Sequence, residues 1–429
     1  MPRFTYTVVA SPLHDPADVE RIVAPVAATL REHGGEPADD PGDGGMPWVV
    51  VVATGGTEAL VLERVAARAE VVGGEPVVLV THPLHNSVPA ALEALAGLRL
   101  RGYRGRIVPI DAPGEPATTI ADLVAAHRLR RSRLGLVGAP SGWLVASVPD
   151  TDAVREHWGI ELVDIPIAGP IASHAGADAS ASRAVAVKFT RRRPGLVSDD
   201  SGAADPGVGG AGGEGAAYGM AEPDSETVRA AALHPALAAA IAEHHVDAVT
   251  VRCFDFLGEL HTSGCVALAE LNDTGTVAGC EGDVAAAVAM MIARELLGTA
   301  SWVANPATID PDGGRMLLAH CTVAPSLVED VDLHTHFESG IGIGLRGTFR
   351  PGPVTLLRLG GRGLEDYWFA DADIVGTGDS ADLCRTQVSL RLEPAALHTL
   401  LEAPWGNHLV LVPGHHRARL ERWWRLVQG

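Results

Sequence analysis

The feature that most constrains this chain is a rhythm in its first 130 residues, where short β-branched runs alternate with Ala-, Leu- and Glu-rich stretches of helical spacing. The apolar runs are Thr5–Ala10, Trp48–Ala53, Pro76–Thr81 and Arg106–Ile110; the helical stretches are Ala17–His33, Glu58–Ala69, Val88–Ala96 and Thr119–His127. Strand runs without polar alternation mark strands covered on both faces, and helices between them make the pairing parallel. Residues 1–130 therefore read as an open, doubly wound α/β domain.

The pattern restarts near Arg130, with Arg133–Gly138, Asp150–Trp158 and Glu161–Ile165, and a helical stretch near Ala175–Lys188. It runs through Val246–Val251 to a helix over Val284–Leu297, so residues 131–300 read as a second α/β domain. One stretch, near 198–226, breaks the texture: Gly202–Gly219 holds 8 glycines and almost nothing to bury, as expected of a flexible insertion. After Ser301 the helical runs thin out. Arg315–Val323, Gly340–Phe349, Val354–Gly360 and Thr386–Leu392 follow one another, separated by turn residues, so 301–429 read as a mainly antiparallel β domain. The stretch His415–Leu426 reads as a closing helix.

Composition narrows the partners. Aromatics are only 4% of a chain that is 47% hydrophobic, so the cores are built from Ala, Val and Leu. Lys and Arg total 33 against 53 Asp and Glu, a formal charge of -20, which argues against nucleic acid and against an anionic membrane surface. No apolar run approaches the roughly 18 residues of a membrane helix, and the first ten residues read as a strand rather than a signal peptide. Five cysteines with no C-x-x-C pair suit a reducing compartment, so the expected location is cytoplasmic.

Several segments carry polar groups whose chemistry matters. Ala53-Thr-Gly-Gly-Thr-Glu58 links a strand to a helix and suits an anion, although the chain has no G-x-G-x-x-G, and such turns are ordinary in α/β folds. His82-Pro-Leu-His-Asn-Ser87 lies past a strand's carboxyl end, where ligands collect; it reads equally as a capped polar loop. In Val277-Ala-Gly-Cys-Glu-Gly-Asp283, Asp283 is explained as a helix N-cap, whereas Glu281 has no such structural task. His320 interrupts an apolar strand, a place where a hydrogen-bonded core histidine is the ordinary reading. His336 and Glu338 share one face of an extended segment, and Asn407-His408 sits at the mouth of the apolar run Leu409–Val412. A glutamate oxygen with imidazole nitrogens suits Mn, Fe, Co or Zn, but spacing alone does not bring these residues together.

The order of features, with Gly135–Ser141, Val277–Asp283, Ser301-Trp-Val-Ala-Asn305 and Gly-Asn-His408, resembles the L-fucose and L-arabinose isomerase superfamily, although this chain is shorter than a typical fucose isomerase. The resemblance implies two α/β domains and a β-rich third, a divalent metal (Mn foremost), a cytoplasmic homo-oligomer, and interconversion of aldoses and ketoses. It puts the metal on Glu281 and His408, with His320 as the counterpart of a further histidine ligand. The family's metal-binding Asp falls on Asn305. An amide coordinates through oxygen but takes no proton near neutral pH, so Asp310, Asp283 or Glu338 would have to substitute. Glu281 would serve as ligand and general base, Asn305 would orient substrate, and His82, His336, Glu338 and Asn407 would meet hydroxyls. Two alternatives stay open: a non-catalytic sugar-binding or regulatory protein, and a different enediolate reaction, an epimerase or aldol-type lyase.

Overall fold

A computed structural model describes residues 3–40, 42, 44–190 and 223–428. The stretch Gly202–Gly219, expected to loop out, lies outside the described residues.

The fold is α/β, with two parallel sheets and an antiparallel β-rich C-terminal region. The first sheet contains β1 (Phe4–Val9), β2 (Gly35–Pro37), β3 (Trp48–Val52), β4 (Val77–Thr81) and β5 (Gly105–Pro109), in the order β2-β1-β3-β4-β5. Every residue of β3 and β4 is buried, as the unbroken valine runs require of strands covered by helices on both faces. The second sheet has the order β7-β6-β8-β9, from β6 (Arg133–Val137), β7 (Glu161–Ile165), β8 (Ala248–Val251) and β9 (Val277–Cys280).

The C-terminal strands do more than lie side by side. Six of them close into a barrel, in the order β10-β11-β16-β15-β14-β17. They are β10 (Trp302–Asp310), β11 (Arg315–His320), β14 (Gly352–Gly360), β15 (Asp366–Thr377), β16 (Thr386–Leu392) and β17 (Leu409–Pro413). Between β11 and β14 in sequence, β12 (Asp330–Thr335) and β13 (Ile343–Thr348) form a separate two-stranded ribbon. Closure removes the unpaired edges an open antiparallel sheet would expose.

The helix Val284–Leu297 joins the second sheet to the barrel. Eleven of its side chains are buried, and its core cluster includes Leu357 and Val410 from the barrel. Each large apolar side chain buried there contributes about 1.5–3 kcal/mol. The last helix, Arg417–Val427, links the barrel to the first unit: Trp424 packs against Tyr367 and Phe369 of β15, Trp423 donates to the Asp122 carbonyl at 3.0 Å, and Arg422 reaches the buried Asp122 carboxylate at 2.9 Å. Among the described residues no helix is long and apolar enough to cross a membrane.

Candidate metal centre

The site forms where the carboxyl end of the second sheet meets one end of the barrel. β9 finishes at Cys280, and the chain must turn at once into the helix Val284–Leu297. Glu281 and Gly282 make that turn with φ of 62° and 75°. A Cβ on Gly282 would lie 2.8 Å from Pro140 Cα, so glycine is required there by both space and backbone angle. Glu281, a non-glycine residue in the left-handed region, carries conformational strain of a kind concentrated at functional sites.

Three neighbouring barrel strands supply the rest. In their register Asn305 of β10 pairs with Ala319 of β11, and Ala304 of β10 pairs with Leu409 of β17. His320, Asn305 and His408 therefore arrive at the same end of the barrel. Glu281 Oε1 lies 3.6 Å from His320 Nε2 and 3.4 Å from His408 Nε2. One donor atom from each of the three falls within 4.8 Å of the others, and all three residues are buried.

A second layer holds this group in place. Asp283 is fully buried; its Oδ1 caps the following helix by accepting from Ala286 N at 2.7 Å. Its Oδ2 accepts from His408 Nδ1 at 2.9 Å and from the guanidinium of Arg358 at 3.2 Å. With Nδ1 committed to a carboxylate, His408 turns its Nε2 toward Glu281, the arrangement that orients a metal-ligating imidazole. Arg358 is itself anchored by Ser147 Oγ at 2.7 Å and by the carbonyls of Trp405 and His408.

The donor set fits a divalent cation on its own chemistry. His408 Nε2, the nitrogen turned to Glu281, is buried without a hydrogen-bond partner, a costly state for a polar atom that a ligand would relieve. One carboxylate oxygen and two imidazoles suit a first-row divalent ion. Electrostatics agree in sign. Burial alone would raise the Glu281 carboxyl, but His320 and His408 hold it far below the usual carboxylate range. Burial would lower His408, yet Asp283 and Glu281 push it up to about 9.

The remaining residues singled out in the sequence are placed as follows. His336 is buried, with Nδ1 3.0 Å from Ser339 Oγ; burial, then the charges of His320 and Arg385, push it down to about 4. His336 and Glu338 do not share an extended segment: β12 ends at Thr335, and His336 opens a turn closed by Gly340 N donating to its carbonyl at 2.9 Å, because a glycine pair, Gly340 and Gly342, reverses the chain into β13. Glu338 is exposed in that turn, and desolvation followed by the Glu281 charge raises its carboxyl. Asn305 Oδ1 accepts from Asn407 Nδ2 at 3.0 Å, an amide pair next to His408. Asp310 stands outside the cluster. It pairs with Arg315 at the opposite end of the β10–β11 hairpin from His320, about 17 Å along the strand, and its Oδ1 accepts from Gly313 N in the turn. It is not the second carboxylate. His82 follows β4 of the first sheet, and its ring is hydrogen-bonded to the Ala53 carbonyl beyond β3 and to Leu84 N in its own loop.

Sequence reasoning missed Trp143, Phe254 and Arg358. Trp143 Nε1 donates to Glu281 Oε2 at 2.6 Å, and its ring packs edge-on against Phe254, which packs edge-on against His336. Arg358 did leave a trace, a lone cation within Leu356-Leu357-Arg358-Leu359, a position that demands a buried anion.

No protein-family model matches the chain. Part of it is similar to curated proteins named sulfoquinovose isomerase. The likeness is 26% identity over 189 residues to those of Priestia aryabhattai and Priestia megaterium (41% of this chain and 41% of each relative). It is 26% over 180 residues to that of a Clostridium species, covering 39% of this chain and 40% of the relative. The chain spans about two-fifths of the length of the curated relatives it matches.

Proposed function

We propose that the protein is a metal-dependent sugar isomerase that interconverts an aldose and a ketose through an enediol. The observation that carries this reading is the buried convergence of Glu281, His320 and His408; the partial likeness to sulfoquinovose isomerases supports it.

In this reading Glu281 Oε1 and the His320 and His408 imidazoles hold a divalent ion, with Mn the first choice. When bound, such an ion would supply Lewis-acid polarisation of a substrate carbonyl. Asp283 keeps His408 in the tautomer that offers Nε2. Glu281 has both oxygens engaged, Oε1 toward the histidines and Oε2 with Trp143. Proton transfer then falls to Glu338, on the open side, whose raised carboxyl suits a group that takes the C2 proton and returns it to C1. His336, in contact with Phe254, and the Asn305–Asn407 pair face substrate hydroxyls. The reading includes a cytoplasmic homo-oligomer.

The test is exchange of the substrate's C2 proton in deuterated water, with Mn present, over a panel that begins with sulfoquinovose. Deuterium entering at one carbon as ketose accumulates supports the isomerase. Sugar binding without exchange favours the second reading, a sugar-binding or regulatory protein, to which the amide at Asn305 points. Exchange accompanied by an epimer or by cleavage products would identify an epimerase or aldol-type lyase.

A further inference from the structure

Resting on that reading, we infer that Trp143 is a positioning residue that divides the two oxygens of Glu281, tying Oε2 to the indole and leaving Oε1 as the single oxygen turned to the histidines. Glu281 is 8% exposed, whereas Trp143 is 54% exposed on a loop between β6 and the helix Thr151–Trp158. A half-exposed indole that reaches a buried carboxylate at 2.6 Å stands at the boundary between that carboxylate and water.

Three features make the contact more than a surface accident. The indole N–H is a donor only, so its bond to Glu281 runs in one direction and is strengthened by the charge of the carboxylate. The ring is braced edge-on by Phe254, with centroids 5.1 Å apart, and Phe254 is in turn braced by His336 at 5.6 Å. The loop carrying Trp143 is also tied to the same turn through its backbone, because Ser141 N donates to the Glu281 carbonyl at 2.9 Å. Glu281 is thus held from the 141–143 side at its carbonyl and at Oε2, while the barrel histidines face Oε1.

The consequence is a one-oxygen carboxylate ligand. Without the indole donor Glu281 would lose the partner that fixes its orientation, and both of its oxygens would be free to turn toward a bound cation. Partners of this kind alter metal affinity by about 10–100-fold when removed.

The experiment compares wild type with Trp143→Phe, which keeps a ring and deletes the donor. Folding is checked by circular dichroism, and cobalt(II) serves as the probe. The expected result is cobalt affinity at least about tenfold weaker, with a weaker visible absorption band as the coordination number rises. Wild type and Trp143→Phe with the same affinity and the same band would overturn the inference while leaving the metal site standing. A metal-free arm separates the two ideas. Among the 8 tryptophan indoles, the ¹⁵N–H resonance lost in Trp143→Phe should lie downfield in wild type and move upfield in Glu281→Gln. If it does not respond to Glu281→Gln, the positioning role fails whether or not cobalt binds. If wild type binds no cobalt, the metal reading fails, and the one-oxygen ligand falls with it.

Discussion

Two turns at the carboxyl ends of parallel strands share a plan and differ in how it ends. After β4, His82 opens a loop in which His85 and Asn86 take φ of 53° and 59° before the helix Ser87–Arg99; after β9, Glu281 and Gly282 do the same before Val284–Leu297. The first turn is tied to itself and to the neighbouring end of β3. His82 Nε2 meets the Ala53 carbonyl at 2.9 Å, its Nδ1 accepts from Leu84 N at 3.3 Å, and Ser87 Oγ bridges His82 N to the Val52 carbonyl. In the second turn Asp283 is as fully engaged as Ser87, but Glu281 faces His408, whose Nε2 is buried and unpartnered. A polar residue at a strand's carboxyl end is therefore not enough to mark a site. What separates the two turns is whether the imidazole nitrogens that meet there find partners within the protein, as those of His82 do and His408 Nε2 does not.

The comparison can be broken in several places. The largest effect is expected on the open side of the second turn, where Glu338→Gln should lower turnover by about 100- to 10,000-fold with metal content unchanged; steady-state kinetics with elemental analysis decides it. Next is Asp283→Ala, which leaves the fully buried Arg358 without its anion. A loss of about 3–5 kcal/mol is expected in denaturant unfolding, together with weaker metal binding, because His408 loses its orienting partner. In the closed turn, His82→Ala should cost about 1–3 kcal/mol through the unpaired Ala53 carbonyl and leave metal affinity unaltered. A metal-binding defect in His82→Ala would dissolve the distinction between the turns. The smallest effect belongs to Asp310→Ala, about 0.5–1.5 kcal/mol for one exposed turn hydrogen bond, with turnover intact.

Much of the architecture was legible in local sequence. Valine runs such as Val49–Val52 mark buried parallel strands because they carry no polar face to present to water, and the apolar helix Val284–Leu297 announces itself with its N-cap Asp283. The barrel was not legible as a barrel. β15 follows a period of two through Tyr367, Phe369, Asp371 and Asp373, and β10 is interrupted by Asn305-Pro306. Closure, moreover, depends on β10 meeting β17 about 100 residues later, which no local pattern encodes.

The site divides along the same line. Glu281 stood out because it lay on a turn with no structural explanation, and His408 because a histidine opened a buried strand. Asp283 was read as a cap, which it is, but its second oxygen orients His408 across 125 residues. Trp143 left no signal, since a tryptophan after Ser141-Gly142 is informative only once its indole is seen beside Glu281.

The central claim is that Glu281, His320 and His408 form a metal site, and elemental analysis of purified protein tests it most directly, before and after soaking in Mn, for wild type and Glu281→Gln. The account predicts about one metal per chain in wild type and an affinity more than about 100-fold weaker in Glu281→Gln, beyond the effect of losing an orienting partner alone. No metal in wild type under either condition, or equal metal in both proteins, would contradict it.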